Sequence, residues 1–341
     1  MFKLIASLAA GRKTIRKFQL ALLITLVFCC YGCSNGKASS ASWEVAQQGI
    51  FSAAIGKNGQ IAVIGSVFEG GSLWQLDKGE RRYNWNHQKA TLSDITATAI
   101  SPNGEFALTA DPKTIVLWGT SDGQSLTYWV SPGNILAVAL SAKGDYALLG
   151  LSDFTAVIFD VKHGGVKKTF YHANRVRSVS LSRDGVYVLT GCEDKTATLW
   201  DAKSGKKLFT QQHTNDVQLV ALSPDGKIAF SSSKYDRAIF WDTKTGVIIG
   251  VIEPPDENRY GMTFTNAEFS ADSKQLLTGS TDRSVKLWNV KDQTLIEHWT
   301  MPIKEIGRPS WASTVAVGFG EKSNTYFAVS SDGFIHKFEK Q

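Results

Sequence analysis

The sequence predicts an all-β chain folded as a seven-bladed propeller, from a repeated unit, an alternation of apolar and polar residues within it, and a turn signal at a fixed place. From Ile50 onward, a small-apolar run, a Ser-Pro-Asp-Gly-like turn, a second apolar run, an Asp and an aromatic recur seven times. The aromatic falls at Trp74, Trp118, Phe159, Trp200, Trp241, Trp288 and Phe338, at intervals of 41 to 50 residues. The turn positions Gly59, Gly104, Gly144, Gly185, Gly226, Ser273 and Ser323 keep the same phase, so whole units recur. A period of about 40 to 45 residues built from short alternating strands is that of a blade of four antiparallel strands.

Each unit has the chemistry this requires. In Ser101-Pro102-Asn103-Gly104 the proline presets a negative φ and the glycine accepts the positive φ that closes a hairpin. Ser182-Arg183-Asp184-Gly185 and Ser223-Pro224-Asp225-Gly226 do the same, so their Asp residues are turn formers before they are anything catalytic. The expected blades are residues 50–85, 95–129, 135–170, 176–210, 217–251, 264–299 and 314–341. The last copy supplies three strands and runs out after Phe338. Residues 43–47 resemble a fourth strand, and are expected to pair with the last blade and close the ring, which removes open sheet edges.

The dipeptides Trp200-Asp201 and Trp241-Asp242, with Trp288-Asn289 and Phe159-Asp160 keeping half of the pattern, resemble the WD40-repeat family. The resemblance covers roughly residues 42–341 and implies a seven-bladed WD40-like propeller; it carries no activity with it. In that family a buried tetrad ties strands together. The resemblance implies one in blade four from His172, Thr190, Asp194 and Trp200, and a slipped copy in blade five from His213, Ser231, Trp241 and either Tyr235 or Asp236. Elsewhere the pattern decays: no Gly-His dipeptide occurs, Trp118 is followed by Gly119 and Trp74 by Gln75.

The N-terminus speaks of location. Lys3, Arg12, Lys13, Arg16 and Lys17 precede an apolar stretch from Phe18 to Gly32, and Cys33 follows at once. Basic residues, a short apolar run and a small residue before a cut site make a secretory signal, too short for a spanning helix. Gly32-Cys33 resembles the processing box of bacterial lipoproteins, although Cys30 and Tyr31 depart from its usual aliphatic and small residues. The resemblance implies a signal peptide over residues 1–32, acylation of Cys33, and a flexible polar tether over 33–42. In a diderm host Ser34 after the Cys implies sorting to the outer membrane, facing the periplasm. An inner-membrane or a secreted protein is the alternative.

Removing the leader takes away five of the 37 Lys and Arg and none of the 31 Asp and Glu, leaving a formal charge of +1. The pI of about 9.0 is therefore mostly targeting sequence and argues against a nucleic-acid partner. The six His residues form no HxH or HxxxH pair, so no metal site or cofactor is expected, and Cys192 is expected as a buried, inert thiol in an inner strand. No phosphate-binding glycine loop occurs, and no catalytic residue is assigned.

Function then falls to the rims. The two longest intervals carry Arg259 and Tyr260 before blade six and Arg308 and Trp311 before blade seven; Arg175, Arg177 and Asp216 point to the same face. These are residue types of interface hot spots. The expectation is a non-enzymatic, membrane-anchored scaffold for other envelope proteins. A periplasmic quinoprotein-like enzyme, or a glycan or small-molecule binder, is the alternative; it needs charged groups on the axis, where stretches such as 135–140 and 217–222 are mainly small and apolar.

Overall fold

The computed structural model describes residues 36–56, 58–87, 93–253, 262–302 and 312–340. Each unit of the repeat folds into one four-stranded antiparallel sheet, and seven such sheets form. Blade four is representative: Val176–Leu181 is its innermost strand, followed outward by Tyr187–Cys192, Thr196–Asp201 and Lys207–Gln212. The innermost strands lie side by side around an axis, and that of blade one (Ile50–Gly56) meets that of blade seven (Thr314–Phe319), so the ring is closed. No helix occurs among the described residues.

The turn between the first two strands works as its sequence dictates. Ser223 Oγ donates to Asp225 Oδ1 (2.7 Å) and accepts from Ile228 N–H (2.9 Å), while Gly226 takes a φ of 69°. In blade six a serine, Ser273, holds that place at φ 60°. In blade seven the left-handed residue is Asn324 (φ 61°), one position after the expected Ser323, because Asn tolerates that conformation better than most side chains.

Blade seven takes its outermost strand from the other end of the chain. That strand is Ala41–Glu44, in place of the expected 43–47, and it pairs antiparallel with Phe334–Glu339, Ser42 opposite His336. The segment before it is also bonded to the ring, which corrects the expectation of a free tether up to residue 42. Lys37 N–H donates to His298 O and Thr300 N–H to Lys37 O, both at 3.0 Å, and Lys37 Nζ reaches Glu297 at 2.8 Å. Cys33 and the leader, residues 1–32, lie outside the described residues.

The core lies between blades. Trp85 of blade one stacks on Trp118 of blade two at 5.0 Å between centroids, and Trp85, Trp241 and Trp299 are among the largest side chains removed from solvent. Removing rings of this size from water is the main favourable contribution, on the order of 2–3 kcal/mol each. Where the inner strands of neighbouring blades meet, space is short at particular positions. A Cβ on Gly318 of blade seven would sit 2.4 Å from the Ile55 side chain of blade one.

Candidate functional site: the tetrads, one rim and the axial cavity

In blade four, Trp200 Nε1 donates to Thr190 Oγ1 at 2.9 Å, and Thr190 donates onward to Thr198 O at 3.2 Å. His172 meets Trp200 edge-on, 5.3 Å between centroids. Asp194 accepts from Thr196 N–H (3.0 Å) and from Ala173 N–H (3.3 Å), the latter tying the end of blade three to blade four. Burial lowers the His172 pKa to about 4, so the ring is neutral. Cys192 ends the second strand and does not lie in an inner one. Its thiol donates to Asn174 O (3.2 Å), and burial pushes its pKa up to about 12. The fold gathers one ligand-type atom from each of His172, Cys192 and Asp194 within 4.8 Å of one another, which no spacing in the sequence announced. With the thiol protonated and the carboxylate taken up by backbone N–H groups, the chemistry on view is hydrogen bonding that orders strands.

In blade five His213 Nε2 lies 3.0 Å from Ser231 Oγ, and Trp241 Nε1 donates to the same oxygen at 3.3 Å. Its acid is Asp236, which accepts from Ser233 Oγ at 3.0 Å, and not Tyr235. Sequence reasoning missed a fuller network in blade two. There His87 lies between Thr109 (2.9 Å) and Thr114 (2.7 Å), Trp118 Nε1 donates to Thr109 (2.7 Å), and Thr114 Oγ1 donates to Asp111 (2.6 Å). The indole ten residues or so after a buried Ser or Thr is the signal that would have found it; the residue after the Trp is not.

At the end of the ring where each blade hands over to the next, Arg175 and Arg177 both converge on Glu193, through Nε at 2.7 and 2.5 Å. Burial alone would raise the Glu193 pKa, but the bonds from Arg177 and Arg175 hold it below the usual range. Asp216 faces Lys234 at 3.7 Å. The turn residues Glu193 and Lys234 were not foreseen; they place both charge signs on this rim. Arg259, Tyr260, Arg308 and Trp311 lie outside the described residues.

The inner strands enclose an axial cavity of about 750 Å³. Its wall is partly cross-linked between blades: Ser178 and Ser180 Oγ accept from Val220 and Leu222 N–H at 3.0 and 3.1 Å, and Asn266 Oδ1 from Val317 N–H at 3.1 Å. These contacts satisfy backbone groups on the free edges of the inner strands of blades five and seven. Blade six departs from the mainly small and apolar wall that the sequence led us to expect. Glu268 occupies the place that register assigns to Ser180 in blade four, and to Ala54, Ala99, Ala139, Ala221 and Gly318 in the others. Its side chain is part-buried and lines the cavity. Desolvation raises its pKa to about 8 from the usual 4.5.

The family model described as WD domain, G-beta repeat, matches residues 164–201 and 262–289. The first match runs from the outer strand of blade three through the third strand of blade four, and the second covers the first three strands of blade six. Both end one residue after a Trp bonded to a buried Thr, Trp200 to Thr190 at 2.9 Å and Trp288 to Thr278 at 2.8 Å. No curated protein matches the chain. The protein is thus a seven-bladed β-propeller, and parts of it around blades four and six are similar to the WD domain, G-beta repeat.

Proposed function

We propose that this protein is a non-enzymatic scaffold, held at a membrane of the bacterial cell envelope by a lipid on Cys33, that binds other envelope proteins through one rim of the propeller. WD repeats are commonly protein-interaction scaffolds, and the observation that carries the reading is the convergence of Arg175 and Arg177 on Glu193 beside Asp216 and Lys234. Such a rim offers guanidinium and carboxylate groups fixed in place, so a partner meets them with little ordering cost. In the sequence Arg259, Tyr260, Arg308 and Trp311 also precede inner strands, and the reading takes them as part of the same surface.

The anchor is supported by the leader pattern and by Ser34 after the cysteine, which favours the outer membrane. With Lys37 bonded to blade six, only Ser34-Asn35-Gly36 separates Cys33 from the first anchored residue. The four residue steps from Cys33 to Lys37 reach at most about 14 Å, so the propeller would work close to the bilayer.

The test is crosslinking in intact cells, followed by purification through a C-terminal tag and mass spectrometry. It is run beside a Cys33→Ser control and an Arg175→Ala/Arg177→Ala variant. A defined set of envelope proteins, reduced in both, supports the reading. Capture unchanged in the arginine variant removes this rim, and a protein that fractionates identically with and without Cys33 removes the anchor.

A further inference from the structure

The outer strand of blade five, Ile248–Ile252, carries no charged residue. With the residue before it, this strand presents Val247, Ile248 and Ile249 to solvent, 59, 43 and 45 % exposed. Leu295, 48 % exposed, opens the outer strand of blade six, Leu295–Thr300. The two strands are neighbours, since a Cβ on Gly250 would collide with the Gln293 side chain in the turn just before Leu295. Outer strands of propeller blades are sheet edges, which proteins ordinarily guard with charge, as Glu80–Trp85, Val166–Tyr171 and Lys207–Gln212 do here. Apolar side chains grouped on such an edge mark an interaction surface.

We infer that this wall of blades five and six rests on a phospholipid bilayer, with Val247, Ile248, Ile249 and Leu295 entering the boundary between headgroups and acyl chains. The inference rests on the anchor at Cys33 proposed above, and adds which surface of the ring meets the membrane.

Two features select that occupant. First, the described chain begins beside this wall. Lys37 is bonded to the backbone of His298 and Thr300, and its Nζ lies 2.8 Å from Glu297. Leu295 is two residues from Glu297 on the same strand, about 7 Å along it. With at most about 14 Å of chain from Cys33 to Lys37, a lipid on Cys33 holds the bilayer within reach of the wall. Second, the charge beside the apolar residues suits phosphate. Lys244 and Lys291 are exposed in the turns that lead into the two outer strands. The acids of those turns are engaged: Asp242 accepts from Lys244 and Thr245 N–H at 3.0 and 2.7 Å, and Asp292 accepts from Thr294 Oγ1 at 2.7 Å. An apolar cluster flanked by lysines is how a protein lies on a membrane surface without crossing it. Blade two has the other charge-free outer strand, Ser125–Val130. It stands three blades round the ring from blade five, away from Lys37, so a bilayer held at Lys37 does not reach it.

The experiment uses the chain from Cys33 to Gln341, which holds every strand of the ring, coupled through the Cys33 thiol to a maleimide lipid in vesicles of phosphatidylethanolamine and phosphatidylglycerol. Cys192 is buried, so coupling is confined to Cys33, and the tether is present whether or not cells acylate that residue. p-Benzoylphenylalanine is placed at position 249 or 295, or at 130 as the control on blade two, and photo-crosslinking to phospholipid is read by mass spectrometry. The expected result is crosslinking at 249 and 295 about tenfold above that at 130, with a fall of about tenfold at 295 in the Val247→Ser/Ile248→Ser variant. Equal crosslinking at 130 and 249, or crosslinking at 295 that the serine variant leaves unchanged, would each overturn the inference. Fractionation of cells carrying Cys33→Ser tests the anchor separately. A protein that fractionates as the parent does, yet crosslinks at 249 and 295 in vesicles, keeps this surface and loses the anchor.

Discussion

Ser42 Oγ lies 2.8 Å from His336 Nδ1, and the far nitrogen of the same ring lies 3.1 Å from Ser330 Oγ. One imidazole thus joins three strands of blade seven, one of which comes from the opposite end of the chain. Ser42→Ala removes one of its bonds and is expected to cost about 1 kcal/mol, or roughly 2–4 °C in melting temperature. Deleting residues 36–44 bares the edge of Phe334–Glu339. It is expected to lower stability several-fold more and to produce dimers or aggregates by light scattering. A deletion that melts like the parent protein would show that the closing strand is dispensable.

The indole bond of blade four can be tested by shape. Thr190→Val keeps the volume and strands the buried Trp200 Nε1, and is expected to cost about 1–3 kcal/mol in urea unfolding, whereas Thr190→Ser keeps the acceptor and is expected to cost less. The same change at Thr109 in blade two is expected to cost more, since His87 and Trp118 share that hydroxyl. Equal effects of valine and serine would mean that packing, not the hydrogen bond, holds the site.

Stability is expected to peak near neutral pH. His172, His213 and His336 have pKa values lowered by burial to about 4 from 6.5. Below pH 6.5 the unfolded chain gains protons the folded one refuses, so stability falls toward pH 4, by up to about 1.4 kcal/mol per pH unit for each. Glu268 acts oppositely: with its pKa raised to about 8 from 4.5, stability falls as pH rises through that window. Melting temperature against pH is the measurement. Glu268→Gln is expected to flatten the alkaline side and, because its window overlaps that of the histidines between pH 4.5 and 6.5, to make the acid side steeper; an unchanged alkaline limb would contradict the raised pKa of that carboxyl.

Cys192 is fully buried with a thiol pKa near 12, so a propeller begun after Cys33 is expected to resist thiol reagents until it unfolds. Labelling whose rate follows reagent concentration, and not the unfolding rate, would refute this.

The ring was legible because its signals are local and repeated. The turn around Gly226 and the phase of Trp200 and Trp241 are set by residues within one hairpin, and seven copies average out any one irregularity. What stayed hidden depends on register between distant segments. The bond from Ser42 to His336 and the clasp of Lys37 on Glu297 join residues 294 and 260 positions apart. Glu268 reads in sequence as one acid in an otherwise alternating strand. Only the equivalence of seven inner strands reveals that it stands where the others carry Ala, Ser or Gly. His87 went unnoticed as a tetrad member because its partners were sought by the dipeptide after the tryptophan, and the hydrogen bonds depend instead on the Thr before it.

The pairing of Ala41–Glu44 with Phe334–Glu339 also bears on the order in which the molecule is made. The outermost strand of blade seven is among the first ring residues synthesised, and its partner is among the last. Six blades can complete their own sheets as the chain emerges, while this one strand must wait with its backbone unpaired. A contact spanning nearly the whole ring carries a large loop-closure cost, so the final step of folding is expected to be the slow one, with a nearly complete ring whose seventh sheet still has an open edge as the species before it. That interval is the period in which the nascent protein is most open to pairing with a second copy of itself.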